Sequence, residues 1–250
     1  MAAGYTTEQE RQSFRNRLFE WYRMHERPLP WKGLDDPYLI WVSEIMLQQT
    51  RSDQAWDYFL EFKEAFPTVQ ELAEATEDEV LAQWKGLGYY ARARNLHQSA
   101  QYVVEEHGGR VPRTYNELLE LKGVGPYTAS AIASFAFNEA HAVLDGNVHR
   151  VLSRYMGWEL AMDSSARKRK YQTLADELID PDRPDLFNQA MMDLGAVICT
   201  PTQPLCNSCP FAEDCAARKE EAWNRYPPAR KRPSVKSRFF HHLLLTDGTE

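Results

Sequence analysis

Apolar residues recur at helical spacing through most of the chain. In "TTEQERQSFRNRLFEWYRMH", Phe14, Leu18, Trp21 and Tyr22 fall on one face, which predicts an amphipathic helix. Two prolines in "ERPLPW" break that pattern. It resumes in "DDPYLIWVSEIMLQQT", with Asp36 placed to cap a helix and Pro37 at its first position. Shorter amphipathic helices follow in "QAWDYFLEFKEAF", "EDEVLAQWKGL", "ARARNLHQSAQYVVEEHG" and "TYNELLELKG". Thr114 and Glu117 fit a capping box ahead of Leu118. Alternation with a period of two occurs only in "SRFFHHLLLTDG", which ends on an Asp-Gly turn. The pattern therefore predicts an all-α fold to about residue 226, then a Pro/Lys/Arg linker and one strand of a further domain.

Two interruptions of the apolar pattern carry chemistry. In "LELKGVGPYTASAIASF", Gly123 and Gly125 separate two helices, and Pro126 suits the first position of the second. Glycines there admit backbone angles closed to other residues and allow another chain to come close. Such a hairpin aims N–H groups and a positive helix end outward, which suits phosphate. A tight helix–helix corner is the alternative. The second interruption is Glu44, which shares a helix face with Ile40 and Leu47. A carboxyl group set among apolar residues has its pKa raised toward neutrality and becomes a usable acid. The alternative is a helix edge where it reaches water or an arginine. A second carboxylate, Asp145 in "VLDGNVHRVL", precedes a helix that Asn147 is placed to cap, and turn chemistry alone also accounts for it.

Charge and cysteines narrow the picture. The net charge of −7 argues weakly against a polyanionic partner, since local patches and helix ends hold phosphate on acidic proteins. Basic runs occur at residues 91–97, 166–171 and 229–238, each readable as a solvated face or as phosphate contacts. The N-terminus is acidic and polar, and no run reaches the roughly 18 apolar residues of a membrane span, so a soluble cytoplasmic protein is expected. All four cysteines, Cys199, Cys206, Cys209 and Cys215, fall within one window with C-x6-C-x2-C-x5-C spacing. With no disulfide-permitting context, four thiolates suit a soft metal. The spacing favours a 4Fe–4S cluster, whose sulfurs each cap a separate iron, with zinc as the alternative.

Taken together, "LPWKGLDDPYLIWVSEIMLQQT", "GLGYYARARNL", "GVGPYTA", "LDGNVHRV" and "NQAMMDLGAVICTPTQPLCNSCP" resemble the helix-hairpin-helix, Gly/Pro…Asp superfamily of DNA glycosylases. Within it they are similar to the MutY family of adenine DNA glycosylases, over residues 12–226. The resemblance implies a two-lobed helix-hairpin-helix glycosylase fold with a C-terminal 4Fe–4S cluster loop ligated by the four cysteines. It implies an N-terminal segment (1–30) packing with the cluster lobe, a six-helix lobe (31–143) holding the hairpin at about 114–137, and the cluster lobe (144–226). Residues 227–250 would be a linker and the opening of a truncated Nudix-like domain.

The function implied is monofunctional excision of adenine mispaired with 8-oxoguanine or guanine in double-stranded DNA, by a monomeric, bacterial, nucleoid-associated repair enzyme. Glu44 would protonate adenine N7 and Asp145 would shelter the cationic sugar, the division of labour of glycoside hydrolysis. Asn147 and Tyr127 would orient them. Gln49 and Tyr89 match residues that wedge into the duplex, Thr50 and Leu87 residues near the orphaned 8-oxoguanine, and Arg27, Trp31 and Gln189 the adenine pocket. Gly123 and Gly125 would contact phosphate. Tyr127 stands where strand-cleaving relatives carry a Schiff-base lysine, which implies water as the final nucleophile. The alternatives are a thymine-mismatch glycosylase of the same superfamily and a noncatalytic iron–sulfur DNA-binding protein.

Overall fold

The computed structural model describes residues 7–228, so the linker and strand expected at 227–250 lie, beyond Pro228, outside the described residues. Within them the chain is helical and contains no strand. The order is α1 (Glu8–His25), α2 (Pro37–Met46), α3 (Ser52–Ala65), α4 (Val69–Glu74), α5 (Glu77–Gln83) and α6 (Ala91–His107). There follow α7 (Tyr115–Leu118), α8 (Pro126–Phe137), α9 (Gly146–Met156), α10 (Ser165–Leu178), α11 (Pro184–Asp193) and α12 (Ala216–Lys219). No helix among the described residues is long and apolar enough to cross a membrane.

Local sequence sets most helix starts. Asp36 accepts the Tyr38 N–H and Pro37 opens α2, as its sequence predicts. Thr114 and Glu117 form the expected capping box on α7. The same Thr-x-x-Glu pattern also caps α1, α4 and α5, each cap contributing about 1 kcal/mol. One expectation is corrected at α9. The helix begins at Gly146, and Asp145 itself is the cap, accepting the Val148 N–H at 2.7 Å, so Asn147 sits inside the first turn.

The apolar faces gather into two cores. One is built on α2 to α6 with α8, and centres on Trp41, Phe59, Phe62 and Trp84. The other joins α1 to α9, α10 and α11, around Phe14, Tyr22, Leu152 and Tyr171. Helix α8 lies between them, giving Ala129 and Ile132 to the first and Ala131 to the second. Both α2 and α11 pack on α8. The basic run at 166–170 is an exposed face of α10, ending at buried Tyr171.

The hairpin between α7 and α8 divides the work of its glycines. Gly123 has φ +84°, and a Cβ there would stand 2.9 Å from the Asn95 Cβ. Gly125 has φ −97° and ψ 179°, open to any residue, and a Cβ there would meet nothing. The expectation of special backbone angles holds for Gly123 alone; Gly125 instead keeps space clear at the start of α8.

Candidate active site

Where the two cores meet, a cleft of about 540 Å³ opens beside α8. It gathers Glu44 from α2, Tyr127 from α8, and Asp145 and Asn147 from the start of α9. Arg27, Trp31, Thr50 and Gln189 complete its walls. Eight residues distant in sequence are thus brought together. Gln49, Tyr89, Gly123 and Gly125 lie outside this lining, on the loops beside α2, α6 and α8. Leu87 packs into the first core, 4% exposed.

Glu44 is 4% exposed, on a helix buried from Tyr38 to Met46. Its Oε2 atom has no hydrogen-bond partner within the protein. Burial raises its pKa to about 7; a hydrogen bond with Tyr127 opposes that rise and the neighbouring Asp145 charge adds to it. Tyr127 is itself shifted well upward by burial and by both carboxylates, so it remains a neutral phenol. Its hydroxyl also meets the Met192 sulfur at 3.5 Å.

Asp145 is held differently. Oδ1 accepts the Val148 N–H, and Oδ2 accepts the Asn147 amide at 2.9 Å. Burial raises its pKa, while those two donors and the Arg150 charge pull it back toward ionisation. The α9 helix N-terminus also favours the anion. One site therefore holds an acid with one oxygen unpartnered and a carboxylate solvated by the protein, an arrangement that separates a proton donor from a fixed negative charge.

The supporting residues were not legible as site residues. Asp193, 1% exposed, binds Arg27 at 2.6 Å and Lys32 at 2.6 Å. Lys32 also donates to the Tyr22 hydroxyl, which lies 3.0 Å from Glu26 and 3.1 Å from Gln189 Oε1. This network fixes one wall of the cleft. Arg150 donates to Asn147 Oδ1 and the Gly195 carbonyl at 2.8 Å each, and to the Cys199 carbonyl at 2.7 Å. Spacing offered one signal: Arg150 stands three residues after Asn147 and hence on the same helix face.

The four cysteines line a second hollow with Ile198, Phe211 and Trp223. Cys199 follows a π-helical turn at Leu194–Ile198, and Cys215 precedes α12. Burial pushes the Cys209 thiol up to about 12, so thiolates there require a cationic partner. Arg154 lies against Cys199 Sγ at 3.4 Å and binds the Thr200 and Pro201 carbonyls, pinning the loop. Among the described residues, no three His, Cys, Asp or Glu side chains are arranged to hold one metal ion. The four thiols around this hollow are soft donors, the ligand type that zinc and iron–sulfur groups both take.

A family model described as "HhH-GPD superfamily base excision DNA repair protein" matches residues 42–178. The chain is 45% identical over 232 residues to an adenine DNA glycosylase from Rattus norvegicus, covering 89% of this chain and 45% of that protein. It is 38% identical to one from Buchnera aphidicola of Schizaphis graminum, covering 89% and 64%. The chain spans less than half the length of its mammalian relatives. Among solved structures, a thermostable thymine-DNA glycosylase superposes with TM-score 0.78 at 29% identity, covering 85% of this chain and 98% of that one. An endonuclease III in complex with DNA shares the fold, at TM-score 0.70 and 23% identity, covering 84% and 97%.

Proposed function

We propose, for a chain that belongs to the HhH-GPD superfamily of base excision DNA repair proteins, that it hydrolyses the N-glycosidic bond of adenine mispaired with 8-oxoguanine or guanine. The observation that carries this reading is the pairing, in one cleft, of a buried acid near neutral pKa, one of its oxygens unpartnered, with a hydrogen-bonded aspartate. Adenine as the base follows from the relatives' names and from the sequence motifs. The base leaves the stack to reach the cleft. Glu44 then gives its proton to the everted purine, Tyr127 holds the acid, and Asp145 faces the positive sugar. Asn147 and Arg150 keep Asp145 aimed. Trp31 and Gln189 line the space beside Glu44 for the base.

Cys199, Cys206, Cys209 and Cys215 would hold a 4Fe–4S cluster, whose chemistry here is structural: it ties down the loop that Arg150 and Arg154 join to α9. The purified chain is expected to carry about four irons and four acid-labile sulfides.

The hairpin separates stability from DNA contact. Gly123→Ala is expected to lose about 1–3 kcal/mol of stability, because of its φ and the Asn95 contact. Gly125→Ala is expected to stay within about 0.5 kcal/mol of the parent in thermal melts, yet to bind duplex DNA more weakly. Equal stability losses would contradict the division between the two glycines.

Lys32, which lines the cleft, is paired with Asp193 at 2.6 Å, and a tyrosine, Tyr127, stands at the hairpin position, so strand scission is expected only after alkali or heat. A borohydride-trapped protein–DNA adduct would contradict monofunctional chemistry. The testing experiment is release of free adenine from an oligonucleotide duplex with an A:8-oxoguanine pair. A thymine-mismatch enzyme, the reading that the thymine-DNA glycosylase structure favours, would instead release thymine from a T:G duplex and spare adenine.

A further inference from the structure

Arg92, the second residue of α6, is a buried cation, 7% exposed. Its Nη1 donates to the carbonyls of Ile45 at 3.1 Å and Met46 at 2.7 Å, and to that of Gln48; Nη2 donates to the Gly88 carbonyl at 3.1 Å. The guanidinium therefore closes the C-terminal end of α2, where carbonyls lack partners and a positive charge is favoured. It also reaches across to the loop before α6.

The residues that follow the Gln48 and Gly88 carbonyls are unusual. Gln49 has φ +59° and Tyr89 has φ +52°. Neither is glycine, so each carries backbone strain that its surroundings must hold in place. Both side chains are exposed, Tyr89 to 59%. Arg92 thus grips the peptide oxygen immediately before each strained residue, and its guanidinium lies over the Trp84 and Tyr89 rings. Gln48 joins the same platform to the hairpin, reaching the Gly123 carbonyl and the Thr128 hydroxyl. A strained, exposed aromatic ring and amide, beside the α7–α8 hairpin, suit insertion between stacked bases.

We propose that Arg92 is a positioning residue that locks Gln49 and Tyr89 into one pre-formed wedge for the DNA base stack. The proposal rests on the DNA-repair reading above. Lysine at this position keeps the charge but lacks the forked donors that reach both loops at once.

The test uses a mispaired duplex carrying 2-aminopurine beside the mispair, with fluorescence reporting unstacking and titration reporting affinity. Arg92→Lys is expected to lower the unstacking signal at saturation and to weaken binding about tenfold, with its melting temperature still above that of the assay. In a Gln49→Ala, Tyr89→Ala background the same substitution is expected to change neither. Equal effects in both backgrounds would show a merely structural role and overturn the proposal, as would an unchanged signal from Arg92→Lys alone. If Arg92→Lys is unfolded, Trp84→Phe serves instead. It removes the indole N–H that shares the Gly88 carbonyl and is expected to reduce the signal; no reduction overturns the proposal. The readout does not depend on base release, so a chain that inserts but excises nothing would contradict the glycosylase reading and leave this proposal standing. A parent chain that binds no mispaired duplex would overturn both.

Discussion

Glu44→Gln is expected to slow adenine release by about 10²–10⁴-fold in single turnover, with the fold intact. The amide keeps the size of the side chain and loses its transferable proton. The carboxyl's raised pKa, about 7, leaves it about half protonated at neutral pH and largely protonated below it, with burial as the main cause. The rate is therefore expected to fall as pH rises past that value, by about tenfold per unit. The low-pH limb belongs to Asp145, which must be ionised and is also shifted upward by burial. Because the two carboxyls interact, these limbs report the pair rather than either residue.

Stability should move the other way. Between the ordinary carboxyl pKa of 4.5 and about 7, folded protein holds a proton on Glu44 that unfolded protein has released. Raising pH through that window removes stability, since the anion is buried without a full set of partners. Glu44→Gln is therefore expected to melt at a higher temperature than the parent above about pH 7. A lower melting temperature there would contradict the account of Glu44 as a strained functional acid.

Asp145→Asn carries the second large effect. Asparagine still accepts the Val148 N–H, so α9 should keep its cap. What vanishes is the charge that the proposed chemistry sets against the cationic sugar. A loss of about 10²–10³-fold in single-turnover rate is expected, with DNA affinity changed little. Loss of binding in proportion to rate would instead mark Asp145 as a scaffold residue. The pH profile of Asp145→Asn should lose its acidic limb and keep the alkaline one.

Much of this was legible in the chain because local physics governs it. Helical periodicity and Asp36-Pro37 fixed α2, and with it the inward side of Glu44. The Thr114–Glu117 box marked α7; the same pattern caps α1, α4 and α5 but was not singled out in the sequence. Asp145 was visible as a candidate, but its role as cap was misplaced by two residues because "DGN" offers two competent capping side chains. The rest depends on contacts far apart in sequence. Asp193 looks like the end of an amphipathic helix until Arg27 and Lys32, some 160 residues earlier, are folded onto it. Arg92 read as part of a basic surface run, yet it is buried, because its targets are the main-chain carbonyls of another helix. Leu87 packs in the first core, 4% exposed. No periodicity encodes such partners.

The most direct measurement is single-turnover release of adenine from an A:8-oxoguanine duplex by the cluster-loaded 250-residue chain, beside its Glu44→Gln, Asp145→Asn double variant. Rapid release by the parent and none above background by the folded, DNA-binding double variant is the expected result. Equal release by both would show that the proton and the charge come from elsewhere.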